Sequence, residues 1–247
     1  MHIGTEIICL ETVDSTNEYI KKNLKALKNG TVVWAMSQSQ GRGRLHRTWV
    51  SENNGNIYFS FLMKDTRWLK QLTELPIIVS VVLFKTVKDF VHEEKVKDLK
   101  LKWPNDLLWD LGKLSGILME IEGDNLVCGI GVNVEKAPQI EDKKTACMND
   151  ISGSHKTLKQ SDFIADFCKN LNTAMTQYGK VGFACFKNEW EQNCGHINKK
   201  VALSGGVEDN TPKIGVLFRG LNSDGGALVV FDGESKEQVV YSGELNV

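Results

Sequence analysis

The chain has 247 residues, of which 41% are hydrophobic and 25% charged, and this ordinary globular composition argues against disordered, collagen-like and coiled-coil proteins. Lysine and arginine number 30 against 31 acidic residues, so any phosphate contact would need a local basic cluster. A chain of this length can form a core without disulfides, and its six cysteines make no C-x-x-C pair. We therefore expect a soluble, cytoplasmic protein with reduced cysteines, no signal peptide and no membrane span.

The spacing of apolar residues predicts alternating strands and helices up to about residue 195. A strand at 7–10 is followed by a helix that begins in a capping box of Ser15 and Glu18, runs to about Leu27 and stops at Gly30. The same criteria predict helices over 69–91, 163–178 and 182–193, and strands at 31–36, 56–63, 99–103, 107–109, 114–121 and 126–134.

The composition changes near Lys199, where short β-rich segments alternate with glycine-containing turns. Strands are predicted at 201–203, 214–221, 227–231 and 238–241, divided by turns at Gly205-Gly206, Asp224-Gly225-Gly226 and Asp232-Gly233. This spacing is typical of a small barrel of about fifty residues. We expect an α+β domain over residues 1–195 and an SH3-like β domain over residues 196–247.

The loop from Gln38 to Trp49 is strongly basic. Arg42, Arg44 and Arg47 would repel one another unless an anion is bound, and Gly41 and Gly43 allow backbone amides to approach that anion. A solvated basic turn is the alternative. A dinucleotide-binding fold is excluded, because the sixth position of the Gly-x-Gly motif is His46 and no amphipathic helix follows.

A second cluster of polar residues follows a predicted strand, in Lys102-Trp103-Pro104-Asn105-Asp106, and Lys113 comes seven residues later. A lysine at this position can place a cation over an acyl or phosphoryl group. The alternative is a turn capped by Asn105 and Asp106, with Lys113 as an ordinary edge-strand charge.

Two glycines weaken the predicted strand in Gly129-Ile130-Gly131-Val132-Asn133. Such glycines mark the close approach of a ligand or another backbone, or else a β-bulge. Asn133 can offer both a donor and an acceptor to a heterocycle. Metal-site spacing, a G-x-S-x-G elbow and a Walker A lysine do not occur in the sequence.

Together these motifs resemble those of the biotin protein ligases, and the resemblance covers essentially the whole chain. The matching segments occur in the family's order: Asp14-Ser15-Thr16-Asn17, Gln38, Gly41-Arg42-Gly43-Arg44, Arg47, Trp49, Lys102-Trp103-Pro104-Asn105-Asp106, Lys113-Leu114-Ser115-Gly116-Ile117-Leu118, Gly129-Ile130-Gly131-Val132-Asn133, Asp224-Gly225-Gly226-Ala227-Leu228 and Ser242-Gly243-Glu244. One departure is Leu45-His46, which stands where the family's basic loop commonly has Arg-Gly.

The resemblance implies a catalytic domain like that of class II aminoacyl-tRNA synthetases, with a mixed sheet and flanking helices, before an SH3-like barrel. It also implies an activity in two steps. Biotin and ATP, with Mg²⁺, give biotinyl-5′-AMP and pyrophosphate, and a lysine of a carboxylase's biotin carboxyl carrier domain then accepts the biotinyl group.

Residue roles are implied in the same way. Biotin would contact Ser15, Thr16, Asn17, Gln38, Gly41, Gly116 and Leu118. ATP and the adenylate would contact Arg42, Gly43, Arg44, Arg47, Trp49, Asn105, Lys113 and Asn133. Arg42, Arg44 and Lys113 would offset charge during adenylation, with Arg44 and Lys113 as the catalytic residues, and Asp106 would orient or deprotonate the incoming lysine.

The resemblance leaves room for a homodimer but predicts no membrane partner and no DNA binding, since the catalytic strand near Ile7 leaves no space for an N-terminal winged helix. Two rival functions remain open. A lipoate–protein ligase should carry an R-R-x-S-G-G-G loop followed by a histidine, which does not occur in the sequence. A non-enzymatic adaptor or RNA-binding module would need a basic surface that a net charge of −1 does not suggest.

Overall fold

The computed structural model describes residues 2–53, 55–152, 158–205 and 214–246. Its larger sheet has seven strands in the order β1-β2-β3-β7-β6-β5-β4, in which β1 pairs parallel to β2 and the other neighbours are antiparallel. The strands are β1 (Ile7–Val13), β2 (Val32–Gln38), β3 (Ile57–Met63), β4 (Leu99–Lys102), β5 (Asp106–Trp109), β6 (Gly112–Glu122) and β7 (Asn125–Val132). The mixed sheet and its predicted strands are confirmed.

Helices cover both faces of this sheet, as α1 (Thr16–Lys22), α2 (Glu74–Lys88), α3 (Met148–Ser152), α4 (Gln160–Val181) and α5 (Ala184–Asn193). Every residue of β3 is therefore buried. On one face Phe59 meets Phe167 of α4 edge to face at 5.1 Å, and on the other Leu62 packs with Ile20 of α1. None of the described helices is long and apolar enough to cross a membrane.

The first helix is shorter than the sequence predicts, and its capping box does not form. Ser15 is the N-cap but makes no side-chain capping bond to a described residue, and Glu18 instead pairs with Arg42 at 2.5 Å. The helix ends at Asn23, whose side-chain Nδ2 donates to the Tyr19 carbonyl at 2.8 Å. Gly30 is not a helix stop. Its φ is 86°, and its backbone amide donates to the carbonyl of Leu62. A Cβ at Gly30 would overlap the backbone carbonyl of His2.

The second helix also begins later than predicted, at Glu74, because Thr66–Lys70 forms a separate 3₁₀ helix. Asp65 caps that turn by accepting a hydrogen bond from the Arg67 amide at 3.0 Å. The predicted apolar face of α4 is confirmed, and its buried residues include Phe163, Ile164, Phe167, Cys168 and Leu171.

The second sheet contains five antiparallel strands in the order β11-β10-β9-β8-β12. They are β8 (Lys200–Ser204), β9 (Ile214–Leu221), β10 (Ala227–Phe231), β11 (Gln238–Val240) and β12 (Glu244–Asn246). This arrangement is consistent with the predicted SH3-like domain, although β12 was missed because three residues show no periodicity. The domain boundary at residue 195 stays a prediction, and the turn at Gly206 lies outside the described residues. All six cysteines are described, and none forms a disulfide.

Glu244 joins the two sheets. Its carboxylate accepts a bond from Lys102 of β4 at 2.8 Å and a second one from Arg47 of the basic loop. Burial raises the pKa of Glu244, but the charges and hydrogen bonds of Lys102 and Arg47 outweigh burial and lower that pKa to about 2. The carboxylate is therefore ionised at neutral pH, and both cations are offset.

His196 lies between α5 and the second sheet and is only 1% exposed. Its ring packs against Phe218 at 5.3 Å, and Nε2 has no hydrogen-bond partner among the described residues. Burial lowers the pKa of His196 to about 4, and the positive charges of Lys102 and Lys199 act in the same direction. The native state therefore holds this histidine neutral.

This burial predicts a loss of stability in mild acid. Between pH 6.5 and 4 the unfolded chain binds a proton at His196 that the native state does not, so the free energy of unfolding falls as the pH falls. One pKa unit corresponds to about 1.4 kcal/mol, and the expected loss is about 3 kcal/mol. Urea unfolding of the wild type and His196→Gln at pH 7 and pH 4.5 measures it. The loss should be smaller in the variant, and an equal loss in both would contradict the assignment.

A second prediction concerns Glu244→Gln, which removes the charge shared by Lys102 and Arg47. We expect the free energy of unfolding to fall by about 2 kcal/mol and the basic loop to be cleaved faster by trypsin. The control is Glu237→Gln, immediately before β11. Glu237 lies 3.4 Å from its partner Arg219, and the Arg219 side chain is 43% exposed. That exposed pair should contribute less than about 1 kcal/mol. Equal effects of the two variants would show that Glu244 is an ordinary surface charge.

Candidate active site

A cavity of about 370 Å³ opens where the β1–α1 turn, the basic loop, the β4–β5 turn and the middle of β6 and β7 meet. Most of the predicted site residues line it: Ser15, Thr16, Asn17, Gln38, Arg42, Gly43, Arg44, Arg47, Trp49, Asn105, Asp106, Lys113, Gly116 and Leu118. Gly41 and Asn133 lie outside this wall. The structure thus brings together motifs that are distant in the sequence.

Gln38 organises one end of the cavity. Its Oε1 accepts hydrogen bonds from the backbone amide of Thr16 at 2.9 Å and from the Thr16 hydroxyl at 3.2 Å. Its Nε2 donates to the Ser51 hydroxyl at 2.8 Å, and that hydroxyl donates to the Trp49 carbonyl at 2.9 Å. Both ends of the amide are therefore engaged, so its orientation is fixed before any ligand binds.

Ser60, buried in β3, determines which acceptors receive the hydroxyl protons at this end of the cavity. Its Oγ is 2.6 Å from the Thr16 hydroxyl and 2.6 Å from Oδ1 of Asn17. Because Nδ2 of Asn17 donates to Glu120 at 2.7 Å, Oδ1 can only accept, and it takes the single proton of Ser60. The proton of Thr16 then goes to Ser60 or Gln38. The Thr16 hydroxyl consequently offers a lone pair to the cavity.

The two glycines of β7 leave room for two side chains to pack directly against the strand. A Cβ at Gly129 would overlap the amide of Asn17, and a Cβ at Gly131 would overlap the indole of Trp49. The described ladders of β7 with β3 and β6 keep a regular register, so the β-bulge interpretation is wrong. Close approach is the correct interpretation, but the groups that approach are side chains of the protein itself. A Cβ at Gly116 would likewise lie 3.1 Å from the Trp49 ring.

The basic loop folds into a tight hairpin. The amide of Gly43 donates to the Arg47 carbonyl at 2.7 Å, and the amide of Trp49 donates to the Gly41 carbonyl at 2.9 Å. Leu45 and His46 form its tip in the left-handed region, with φ of 55° and 59°. A Cβ at Gly41 would overlap the Trp49 carbonyl, so Gly41 closes the hairpin and does not face the cavity.

Each arginine of this loop has its own acceptor. Arg42 pairs with Glu18 at 2.5 Å, and Arg47 pairs with Glu244. Arg44 donates to Oδ1 of Asn105 at 3.3 Å and to the Gly243 carbonyl at 3.2 Å. Burial lowers the pKa of Arg44, so its guanidinium is substantially desolvated. The expected repulsion is thus offset by protein acceptors.

Asp106 lies between two lysines. Its Oδ1 is 2.7 Å from Nζ of Lys113, and its Oδ2 is 4.0 Å from Nζ of Lys102. The Lys113 ammonium also lies 5.5 Å from the centre of the Trp49 ring, a cation–π distance. Since Asp106 is only 4% exposed, this ion pair anchors Lys113 at the cavity surface.

Asn133 stands behind Lys113. Its Nδ2 donates to the carbonyl of Lys113 at 3.2 Å and to the carbonyl of Ala146 at 3.1 Å. Its Oδ1 is buried and accepts no hydrogen bond from a described residue. A buried oxygen without a donor is costly, so it is a candidate acceptor for a bound ligand.

Sequence reasoning missed several residues of the site. The wall also includes Leu45, Thr48, Ile117, Ile130, Ile140, Lys143 and Glu244, and Ser51, Ser60 and Glu120 support it from behind. The tail motif containing Glu244 was noted, but only as part of the C-terminal domain. No local pattern marks Ser60 or Lys143 as site residues.

The cavity therefore combines two chemistries. One end offers fixed hydrogen-bonding groups beside apolar strand residues, which suits a neutral polar ring with an apolar chain. The other end is lined by Arg44, Lys113 and neighbouring cations, which suits phosphates. A group carried on the apolar chain would meet the phosphate end inside one cavity.

Comparison with known proteins agrees with this geometry. The family model described as the biotin/lipoate A/B protein ligase family matches residues 9–135. The bifunctional ligase/repressor BirA of Escherichia coli is 26% identical over 93% of this chain and 71% of its own length. The biotin–[acetyl-CoA-carboxylase] ligase of Paracoccus denitrificans is 25% identical over 96% of this chain and 98% of its own.

Among solved structures, the biotin protein ligase from Aquifex aeolicus in complex with biotin and ATP superposes with a TM-score of 0.84 at 29% identity. The match covers 98% of this chain and 99% of that chain. Because the family model spans more than half of the sequence and includes the turn, the basic loop and β7, the chain belongs to the biotin/lipoate A/B protein ligase family.

Proposed function

We propose that the protein is an ATP-dependent biotin–protein ligase. It forms biotinyl-5′-AMP and pyrophosphate from biotin and ATP, then transfers the biotinyl group to a lysine of a biotin carboxyl carrier domain. The observation that carries the proposal is one cavity with Thr16 and Gln38 at its polar end and Arg44 and Lys113 at its cationic end. The names of the Paracoccus and Aquifex relatives support the same activity.

The polar end suits the ureido ring of biotin, which carries two N–H donors and one carbonyl acceptor. The lone pair of Thr16 is available to a ureido N–H, because the proton of its hydroxyl is held by Ser60 or Gln38. Ser15 and Asn17 complete this end, and Gly116 and Leu118 of β6 border the valeryl chain. Trp49 covers the ligand from the loop side.

Adenylation brings the biotin carboxylate to the α-phosphate of ATP. The carboxylate oxygen forms a bond to phosphorus, the bond from phosphorus to the bridging oxygen breaks, and its electron pair leaves with pyrophosphate. Both reactants are anions, so fixed cations must offset their repulsion. Arg44 is held by Asn105 and Gly243, and Lys113 is held by Asp106, so both are positioned before ATP arrives.

The adenine ring needs both an acceptor and a donor. Oδ1 of Asn133 is buried without a partner among the described residues and can accept from the adenine amino group. Asn105 is 9% exposed at the wall, but its amide already bonds the Ile117 carbonyl and Arg44. Asn133 is therefore the better candidate for reading the base.

Transfer requires a neutral amine on the carrier lysine. Asp106 is engaged with Lys113, whose Nζ lies 2.7 Å from Oδ1 of the carboxylate. When the adenylate phosphate attracts Lys113, the Asp106 carboxylate is released to orient the incoming ammonium group and accept its proton. Asp106 thus serves both steps, first by holding Lys113 and then by receiving the substrate lysine.

Magnesium fits this site only as an ion carried by ATP. The described residues contain no cluster of three histidine, cysteine or acidic side chains that could hold a metal. The carboxylates described in the wall are those of Asp106 and Glu244, and Mg²⁺ is commonly held by one or two carboxylates with substrate phosphates. Bound there, it would neutralise phosphate charge.

One assay separates biotin ligation from the rival functions. Pyrophosphate exchange into ATP should require biotin and should not occur with lipoate or without an acid. Exchange with lipoate alone would identify a lipoate ligase, and no exchange with either acid would favour the non-enzymatic adaptor. A purified carrier domain should become biotinylated in the same mixture.

The role of Lys113 is tested by Lys113→Gln, which removes the cation but keeps a donor near Asp106. Adenylation should slow about a hundredfold, because one preorganised charge contact to the transition state is lost, while biotin binding at the Thr16 end should be unchanged. Lys200→Gln is the matched control, since Lys200 forms an exposed pair with Asp232 on the second sheet. Normal biotin-dependent exchange by the folded Lys113 variant would refute the role.

A further inference from the structure

The cations of the cavity wall differ in how far the protein itself offsets their charge. Arg42, Arg47 and Lys113 each have a carboxylate partner, and Arg44 bonds an amide oxygen and a carbonyl. Lys143 also lines the wall and is exposed, but no described carboxylate lies within 4 Å of its ammonium group. Its charge is therefore available to a ligand at no cost in broken ion pairs.

The backbone fixes Lys143 beside the predicted reaction centre. The amide of Lys113 donates to the carbonyl of Lys144 at 2.9 Å, and the amide of Ala146 donates to the carbonyl of Lys113 at 3.0 Å. Asn133 bonds the carbonyls of Lys113 and Ala146, which locks the two segments together. A Cβ at Gly112 would lie 2.9 Å from the carbonyl oxygen of Thr145, so the start of β6 packs closely against the segment that carries Lys143.

We propose that Lys143 binds the β- and γ-phosphates of ATP and the pyrophosphate that leaves. This inference rests on the proposed function. Arg44 is half-buried and Lys113 is anchored by Asp106, so these two cations serve the α-phosphate inside the cavity. Lys143 lines the same wall but is exposed to solvent, so it can meet phosphates that extend outward from the α-phosphate. A lysine on a flexible stem can follow that motion without trapping the product.

The chemistry limits this role to the first step. When the carboxylate–phosphorus bond forms and pyrophosphate leaves with the electron pair, Lys143 stays protonated and no proton moves. Transfer from the adenylate to a lysine releases AMP and involves no pyrophosphate. A substitution at Lys143 should therefore affect adenylation and its reversal but leave the second step unchanged.

The test compares Lys143→Gln with Lys144→Gln. Lys144 is the adjacent residue but lies outside the wall, where it forms an exposed pair with Asp110 at 2.9 Å. For Lys143→Gln we expect the KM for ATP, and the KM for pyrophosphate in the reverse reaction, to rise about tenfold, the effect of one charge-assisted contact. The rise should shrink at high salt. The KM for biotin and the rate of transfer from supplied biotinyl-5′-AMP should match the wild type, as should all constants of Lys144→Gln.

Each other outcome contradicts the proposal. Unchanged KM values for ATP and pyrophosphate in Lys143→Gln would show that its ammonium group touches no phosphate. An equal loss in transfer would show that the variant disturbs Lys113 through the shared backbone. Lys143→Arg should have the wild-type KM for ATP, since the positive charge is kept. If Lys143→Gln raises this KM and Lys143→Arg raises it equally, the proposal is also contradicted.

Failure of the proposed function can be recognised separately. If the wild type shows no biotin-dependent exchange, calorimetric titration with inorganic pyrophosphate still compares the wild type with Lys143→Gln. Weaker binding by the variant would support the phosphate contact even without ligase activity. Equal binding would overturn it.

Discussion

The structure depends on a balance of charge around one cavity. Several basic side chains surround a space of about 370 Å³, and they would repel one another if nothing offset them. The offsetting carboxylates come from different elements: Glu18 from α1, Asp106 from β5 and Glu244 from β12. Each ion pair therefore also ties one element to another.

This balance explains how an anionic ligand can bind a site whose cations are already paired. Removing one partner from a buried ion pair is costly, but replacing it by a phosphate exchanges one anion for another. For Lys113 the exchange has a second consequence, because its partner Asp106 is then free to receive a lysine. Thus the pair that holds the site in place before ATP binds also prepares the step that follows adenylation.

The sequence predicted most of the fold, because the segments that form it carry strong local patterns. The strands of the larger sheet and the apolar face of α4 follow directly from periodicity, and the motifs that carry the resemblance do line one cavity. Errors arose where tertiary contacts outweigh local signals. Glu18 leaves the capping box because Arg42 is a stronger partner than a backbone amide, and the glycines of β7 are required by Asn17 and Trp49.

The site residues that were missed share a different property. Ser60 contacts Thr16 across 44 positions, and Glu244 contacts Arg47 across 197, so each is recognisable only once the fold brings the two segments together. A serine within an apolar strand and a glutamate in a three-residue strand carry no periodic or motif signal of their own role. Their contribution is to fix the orientation or charge of residues that the motifs do reveal.

The same reasoning separates the two halves of the proposed reaction within one cavity. Residues that the protein positions in advance, such as Arg44 and Lys113, suit a phosphorus atom that remains bound from ATP to the adenylate. A cation without an anionic partner among the described residues suits a group that must leave, because no ion pair has to break for binding or re-form for release. Since pyrophosphate leaves before the carrier lysine arrives, the exposed side of the cavity can serve the product of the first step and then the substrate of the second.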